Sequence, residues 1–409
     1  MLPFFAGIIS SLLWFSRELF SGYLFCFMDI TRYFYPYRLF WVSSLKKGFI
    51  ALWNPYIYMG MPFFATLQTG MFYPLSVLYF LPSFDYGFNL FIIFHFVLGF
   101  VLMYLMCRDL NLSIPASFIG GFSFAYSGYL NSVIHMITSV SSVIWLPLAV
   151  IFFRRLLDAL DENSQTNKIA SNGIFLSFSF LMMFLGGEPF VLYATILFFF
   201  GYIFVDFIFY NRDVKKIFSR ILSYLISLFL FFALGAFQII PFLELFFHSV
   251  RVGGLSFAEA SYWSFPPHKI VSMVIPYFYN PSYMPFLNTD WLKTPYLGNV
   301  ALFLAVFSAF FFGKKRIQIV FIGFLVSLLL AMGKYAFLYG LFYKMVPLFS
   351  LSRYPVKFLF MSTFLFSVVA ALGFDELVKN IDLEKTRKIL RGMFLFSFAI
   401  VLFSGILFV

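Results

Sequence analysis

The feature that most constrains this chain is its series of unbroken apolar runs, such as Ile174–Phe184 and Phe396–Val409. A bilayer core takes roughly 20 consecutive apolar residues per helix. Barrel strands would instead alternate apolar and polar residues. Hydrophobic residues make up 62% of the chain and charged residues only 11%, with a mean hydropathy of +0.93. An average soluble domain is about 25% charged. A soluble globule could not cover this much apolar surface with so few charges. The composition therefore excludes a soluble enzyme, a disordered protein and a nucleic-acid module. It points to an all-α polytopic membrane protein.

About eleven spans are expected, at 2–16, 86–106, 115–130, 135–153, 169–186, 189–210, 221–245, 296–312, 318–333, 355–374 and 392–409. Residues 71–82 add a re-entrant piece. No basic segment precedes the first run and no clear small-residue cleavage site follows it, so it reads as a retained first span. The connections Cys107–Ile114, Arg154–Lys168, Asn211–Arg220, Gly313–Ile317 and Glu376–Arg391 are short and hold 16 of the 28 Lys and Arg residues. Basic loops stay on the cytoplasmic side. The N-terminus is then expected inside, and the long connections 17–85 and 246–295 outside, in a bacterial inner membrane. In this setting the net charge of +11 reflects cytoplasmic anchoring and anionic headgroups. Cys26 and Cys107 show no metal or disulfide spacing, fall on opposite sides in this topology, and are not expected to pair. The short inner loops leave no room for a nucleotide-binding domain, and no GxxxxGK[ST] sequence occurs.

The first outer connection carries the main chemical candidate, Asp29, about a dozen residues beyond the first span. A carboxylate at headgroup level can act as a general base or hold a divalent cation such as Mg or Mn. Asp29 also suits the N-cap of a following helix. Residues 30–47 read as that helix, lying in the interface. Tyr33, Phe34, Tyr37, Phe40 and Trp41 recur at helical spacing among Arg32, Arg38, Lys46 and Lys47. Arg32 and Arg38 can bind lipid phosphate, or the helix can simply anchor.

Glu188 stands in Gly186-Gly187-Glu188-Pro189, between two spans joined by almost no loop, where a charge is expensive unless paired or facing a wet cavity. Glu244 falls at an outer span end and His135 near the outer interface. His95 lies mid-span. The four histidines show no zinc spacing. Ser350-Leu-Ser-Arg353-Tyr354-Pro355-Val-Lys357-Phe358 places two cations at the mouth of a span. The Arg353 fork suits phosphate or pyrophosphate and Lys357 adds a point charge; snorkelling is the plainer reading.

Taken together, these segments resemble the bacterial YfhO-type membrane protein family, a branch of the GT-C-like glycosyltransferases. The resemblance rests on Asp29, on Trp53-Asn54-Pro55 with Met59-Gly60-Met61-Pro62, and on Phe72-Tyr73-Pro74-Leu75. It continues through Gly186-Gly187-Glu188-Pro189, Pro241-Phe-Leu-Glu244, Ser249-Val-Arg251, Ser264-Phe-Pro-Pro267 with Pro276, Tyr296-Leu297-Gly298, Arg353-Tyr354-Pro355-Val-Lys357-Phe358 and Gly373-Phe374. It implies a single GT-C-like transmembrane domain over 1–409 using a polyprenyl-phosphate-linked sugar donor and an envelope glycan, lipid or protein acceptor. Asp29 then takes the place of the base or metal ligand, and Arg353 with Lys357 that of the phosphate-binding element. Trp53, Asn54, Gln68, His135, Glu188 and Glu244 are expected around the substrate cavity. Many members run longer, so the chain reads as a short member or one lacking a C-terminal region. Two other functions fit the composition. One is a transporter or flippase of a lipid-linked or amphipathic solute, with Glu188 and His95 as a proton relay. The other is a non-catalytic envelope scaffold.

Overall fold

A computed structural model describes residues 2–162, 164–209, 212–275, 295–311 and 315–379, with isolated positions between 391 and 399. The described residues are helical, and their one extended pairing is the isolated bridge Asn54–Met61. Six helices are long and apolar enough to cross a membrane: Phe84–Asp109, Ile137–Asp161, Thr166–Leu185, Pro189–Phe209, Val214–Phe247 and Pro355–Lys379. Phe4–Trp14, Asn299–Ala309 and Ile317–Ala331 are shorter apolar helices. The expected span 115–130 is instead a 12-residue helix, Ile114–Ala125, followed by the short turn Gly128–Ser132. The re-entrant piece 71–82 is a 3-10 helix over Pro74–Phe80. Nearly all of the expected span 392–409, and the outer connection beyond residue 275, lie outside the described residues.

Local chemistry accounts for the boundaries that differ. The helix Val214–Phe247 starts seven residues before its expected apolar onset. The Asp213 carboxylate caps it by accepting the N–H groups of Lys215 and Lys216 at 2.9 and 3.4 Å, a role Asp performs well. Helix-forming Lys and Arg residues then carry the helix into the apolar run.

The chain divides into two compact units. One comprises Met1–Ile9, Met103–Val133 and Gly253–Val409. Its centre is the helix Leu359–Lys379, which packs on Asn299–Phe311, Lys315–Ala331 and Ile114–Ala125. Nearly all of its side chains are buried, as expected of a helix apolar on all sides. Small residues set the approach: a Cβ on Gly373 would lie 2.6 Å from Ser308, and one on Gly120 would lie 3.1 Å from Ala371. Between helices in a bilayer, such close contact supplies the attraction that the hydrophobic effect supplies in water. Asp375 on the central helix accepts the Ser113 N–H at 2.7 Å, at the start of Ile114–Ala125, and pairs with Lys379 at 2.5 Å.

The other unit comprises Ser10–Leu102 and Ile134–Val252. Its frame is Thr166–Leu185 packed against Leu146–Asp161 and Val214–Phe247. Ser177 Oγ donates to the Ser227 carbonyl at 2.7 Å along one seam. Phe153 stacks on Phe199 at 4.1 Å. This unit also carries the whole of the first long connection, which folds as Ser16–Phe20, a π-turned stretch Ile30–Phe34, the helix Tyr35–Lys46, and two 3-10 turns.

The helix over 30–47 exists, but its aromatic face is not at a lipid interface. Helical spacing puts Phe34, Tyr37, Arg38 and Trp41 on one side, and all four are buried. Tyr37 meets Phe63 at 5.5 Å and Trp41 meets Phe80 at 5.3 Å. Apolar periodicity identifies a face; here protein, not lipid, covers it.

Candidate functional site

In the second unit, Asp29 immediately precedes the turn Ile30–Phe34. It is half-buried and has helical backbone angles, φ −68° and ψ −19°. A capping side chain normally sits on an extended backbone, and the Asp29 carboxylate makes no capping bond. The N-cap reading is therefore corrected. Nor does the carboxylate hydrogen-bond or ion-pair with any described residue. Its segment touches His135 through Phe27, ring centroids 6.3 Å apart, and His135 is buried at the start of the helix Ile137–Val143.

That helix holds the Gly-Gly-Glu-Pro turn. Ser139 Oγ donates to Glu188 Oε2 at 3.4 Å, the Glu188 N–H donates to Ser142 Oγ at 3.1 Å, and Ser141 Oγ donates to the Gly186 carbonyl at 3.1 Å. Glu188 is 8% exposed. The glycines are required by space: a Cβ on Gly187, at φ +101°, would lie 2.6 Å from Thr138 and 3.1 Å from the Leu67 carbonyl. A Gly187→Ala chain is expected to lose about 2–3 kcal/mol of stability through strain and overpacking. A thermal-unfolding scan of the purified protein checks this.

The remaining candidates of this unit separate. Arg38 is 1% exposed; its guanidinium donates to the Gln68 carbonyl and lies 5.8 Å from the ring centroids of Phe34 and Tyr79. Burial pushes the Tyr79 phenol up to about 12, so it stays protonated beside the cation. Enclosed this way, Arg38 cannot reach a lipid phosphate, and its expected role there is corrected to holding the 67–70 turn. Arg32 is exposed and free for such a role. Gln68 is half-buried. Asn54 is buried, its Oδ1 accepting the Tyr56 N–H at 3.0 Å. Trp53 is exposed, as is Glu244 on the last turn of Val214–Phe247. His95 serves the core: its Nδ1 faces the Phe91 carbonyl at 2.5 Å, and its Nε2 meets the Tyr73 hydroxyl, which also accepts from Trp145 Nε1, both at 2.8 Å. Among the described residues no three His, Cys, Asp or Glu side chains gather as a metal-binding group.

The first unit carries the other candidates on one turn. Tyr354 has φ +71° and Trp263 φ +55°, conformations that cost about 1–3 kcal/mol each and persist only where the surroundings impose them. Here the Tyr354 N–H donates to the Ala260 carbonyl at 3.2 Å and the Val356 N–H to the Trp263 carbonyl at 3.3 Å. The rings of Trp263 and Tyr354 lie 4.5 Å apart. The exposed Arg353 guanidinium is 4.8 Å from the Tyr354 ring centroid and Lys357 Nζ is 5.7 Å from it. Hydrogen bonds from Ser256 hold the Glu259 carboxyl below its usual range, and the Arg353 charge adds to this. Arg353 and Lys357 are thus brought together on one aromatic residue. Trp263, within Ser261-Tyr-Trp-Ser264, was not singled out by sequence; its aromatic pair before Ser-Phe-Pro-Pro was the available signal.

No family model matches the chain and no curated protein matches it, so the YfhO-type resemblance is not confirmed. Among solved structures the chain is similar to the archaeal oligosaccharyltransferase AglB from Archaeoglobus fulgidus, in complex with an inhibitory peptide and a dolichol-phosphate. The TM-score is 0.44 at 14% identity, over 99% of this chain and 55% of that one. The chain thus spans about half the length of that protein. The likeness is one of outline and assigns neither family nor activity.

Proposed function

We propose that this chain is a membrane-embedded glycosyltransferase that moves a sugar from a polyprenyl-phosphate-linked donor to an envelope acceptor on the outer face. The observation that carries this reading is the pair of cations fixed on Tyr354. Arg353 and Lys357 sit on a turn whose strained backbone holds them, and the Arg353 guanidinium makes no hydrogen bond to the described residues. Breaking the bond between the anomeric carbon and the phosphate oxygen leaves negative charge on the departing lipid phosphate. Preplaced cations stabilise that growing charge. The acceptor hydroxyl forms the new bond to the anomeric carbon and gives its proton to a general base, the role the sequence assigns to Asp29.

The expected consequence is that Arg353→Ala lowers kcat/KM for the donor by about 100-fold, and that Arg353→Lys recovers only part of it, because a point charge replaces a planar fork. Release of polyprenyl phosphate from a series of labelled short-chain polyprenyl-phosphate hexoses, with envelope membranes as acceptor, measures it. A wild-type protein that releases no lipid phosphate from any of them would remove the reading. Transport is less favoured. The side chains a proton relay would use are bonded to their packing neighbours, His95 to Tyr73 and the Phe91 carbonyl, and the Glu188 carboxylate to Ser139.

A further inference from the structure

The segment following the buried helix Tyr35–Lys46 has an unusual combination of properties. From Gly48 to Phe84 the sequence contains no Asp, Glu, Lys or Arg, although this stretch lies outside the membrane-crossing helices. Its first part puts large apolar side chains outward: Leu52, Trp53 and Tyr56 are exposed, Tyr58 is 83% exposed and Met59 fully so. The tip is nonetheless built. The Asn54 and Met61 backbones exchange hydrogen bonds at 2.9 and 3.0 Å, and the Phe64 N–H donates to the Leu52 carbonyl at 3.1 Å. Phe40 packs on Tyr56 at 5.8 Å and on Phe63 at 5.1 Å. Gly60, at φ +115°, lets the Trp53 indole lie where a Cβ would come within 2.6 Å. Tyr58 and Met59 are held at φ +51° and +62°.

Two physical limits fix the depth such a tip can occupy. A long, uncharged loop with outward Trp, Tyr, Leu and Met side chains marks a surface that an apolar partner or a membrane covers. Yet the N–H groups of Tyr58 and Met59 make no hydrogen bond among the described residues, and unsatisfied exposed peptide groups are excluded from the hydrocarbon. The zone that satisfies both is the headgroup layer, where Trp and Tyr rings concentrate. Exposed Lys46 and Lys47 immediately precede the segment, placed to meet anionic headgroups.

We propose that residues 49–59 are an interfacial anchor whose partner is the bilayer surface, with Tyr58 and Met59 at headgroup depth. The element expected to lie in the interface is thereby moved from the helix 30–47 to the loop after it, and Trp53 from a substrate cavity to lipid. The inference depends on the chain being in a membrane and not on which reaction it performs.

The test places a single cysteine at Met59 (Met59→Cys in a Cys26→Ser, Cys107→Ser background), carrying an environment-sensitive fluorophore. The full chain is reconstituted in phosphatidylcholine–phosphatidylglycerol vesicles containing nitroxide lipids labelled either at the headgroup or deep in the acyl chain. A Gln165→Cys chain, labelled on an exposed residue of a polar loop, gives the water reference. The expected result is blue-shifted emission and at least about twice as much quenching by the headgroup label as by the deep label, the pattern of a side chain inserted about 5–10 Å. Emission matching the Gln165 reference without quenching would place the tip in water, free to bind a soluble acceptor, and would overturn the proposal. Stronger quenching by the deep label would overturn it as well.

Discussion

Replacing Asp29 by asparagine is expected to lower sugar transfer by about 10²–10⁴-fold, the range that a positioned general base contributes. The loss should fall on kcat, with the donor KM little changed, because asparagine keeps the shape and removes only the proton acceptor. The structure adds a second expectation that separates this role from a structural one. Asp29 makes no capping hydrogen bond and no bond to any described residue. A helix cap costs about 1 kcal/mol when replaced by alanine, whereas asparagine caps as well as aspartate; here the thermal midpoint of Asp29→Ala should match the wild type. Transfer kinetics of Asp29→Asn and an unfolding scan of Asp29→Ala measure the two expectations. Unchanged turnover would take Asp29 out of the mechanism, and a lowered midpoint with unchanged turnover would return it to a structural role.

The second large effect concerns stability. Arg220 on Val214–Phe247 is buried and grips two carboxylates of neighbouring helices. Its Nη2 and Nε bond Asp161 at 2.5 and 3.2 Å, and its Nη1 bonds Asp206. Three helices of one unit meet in this triad. Arg220→Ala leaves two carboxylates facing each other at the edge of an apolar bundle without their cation. Loss of one partner from a buried ion pair costs about 3–5 kcal/mol. Asp161 is partly exposed, so the lower end, about 3 kcal/mol, is expected. Arg220→Lys should recover part, since one ammonium cannot hold both acids in a fork. A midpoint for Arg220→Ala indistinguishable from wild type would show that water already screens the triad.

The positions of the six long helices were legible, because an apolar run is a local property, whereas the expected count of eleven spans is not met among the described residues. The run within 169–186 became Thr166–Leu185, and the near-absent loop at Gly186–Glu188 is a three-residue turn into Pro189–Phe209. Packing was not legible, for a physical reason. A helix face buried in protein and one bathed in lipid are both apolar, so the pattern of Phe34, Tyr37 and Trp41 could not reveal which surrounds it. The Arg220 triad was invisible because its partners lie 59 and 14 positions away with no local spacing rule. At the site, the Arg353–Lys357 cluster was readable from one short segment. The contribution of Trp263 was not, since it reaches Tyr354 from another loop.

The account depends on sidedness: the Asp29 and Arg353 connections must face the compartment that holds the lipid-linked donor. The chain carries its own reporter, because Cys26 is exposed three residues before Asp29 and Cys107 is buried. In sealed right-side-out vesicles, a membrane-impermeant maleimide is predicted to label Cys26 without permeabilisation. A Gln165→Cys chain lacking Cys26 should label only after permeabilisation. The opposite pattern, with Cys26 protected and Gln165→Cys labelled from outside, would put these connections in the cytosol and contradict the proposed transfer reaction.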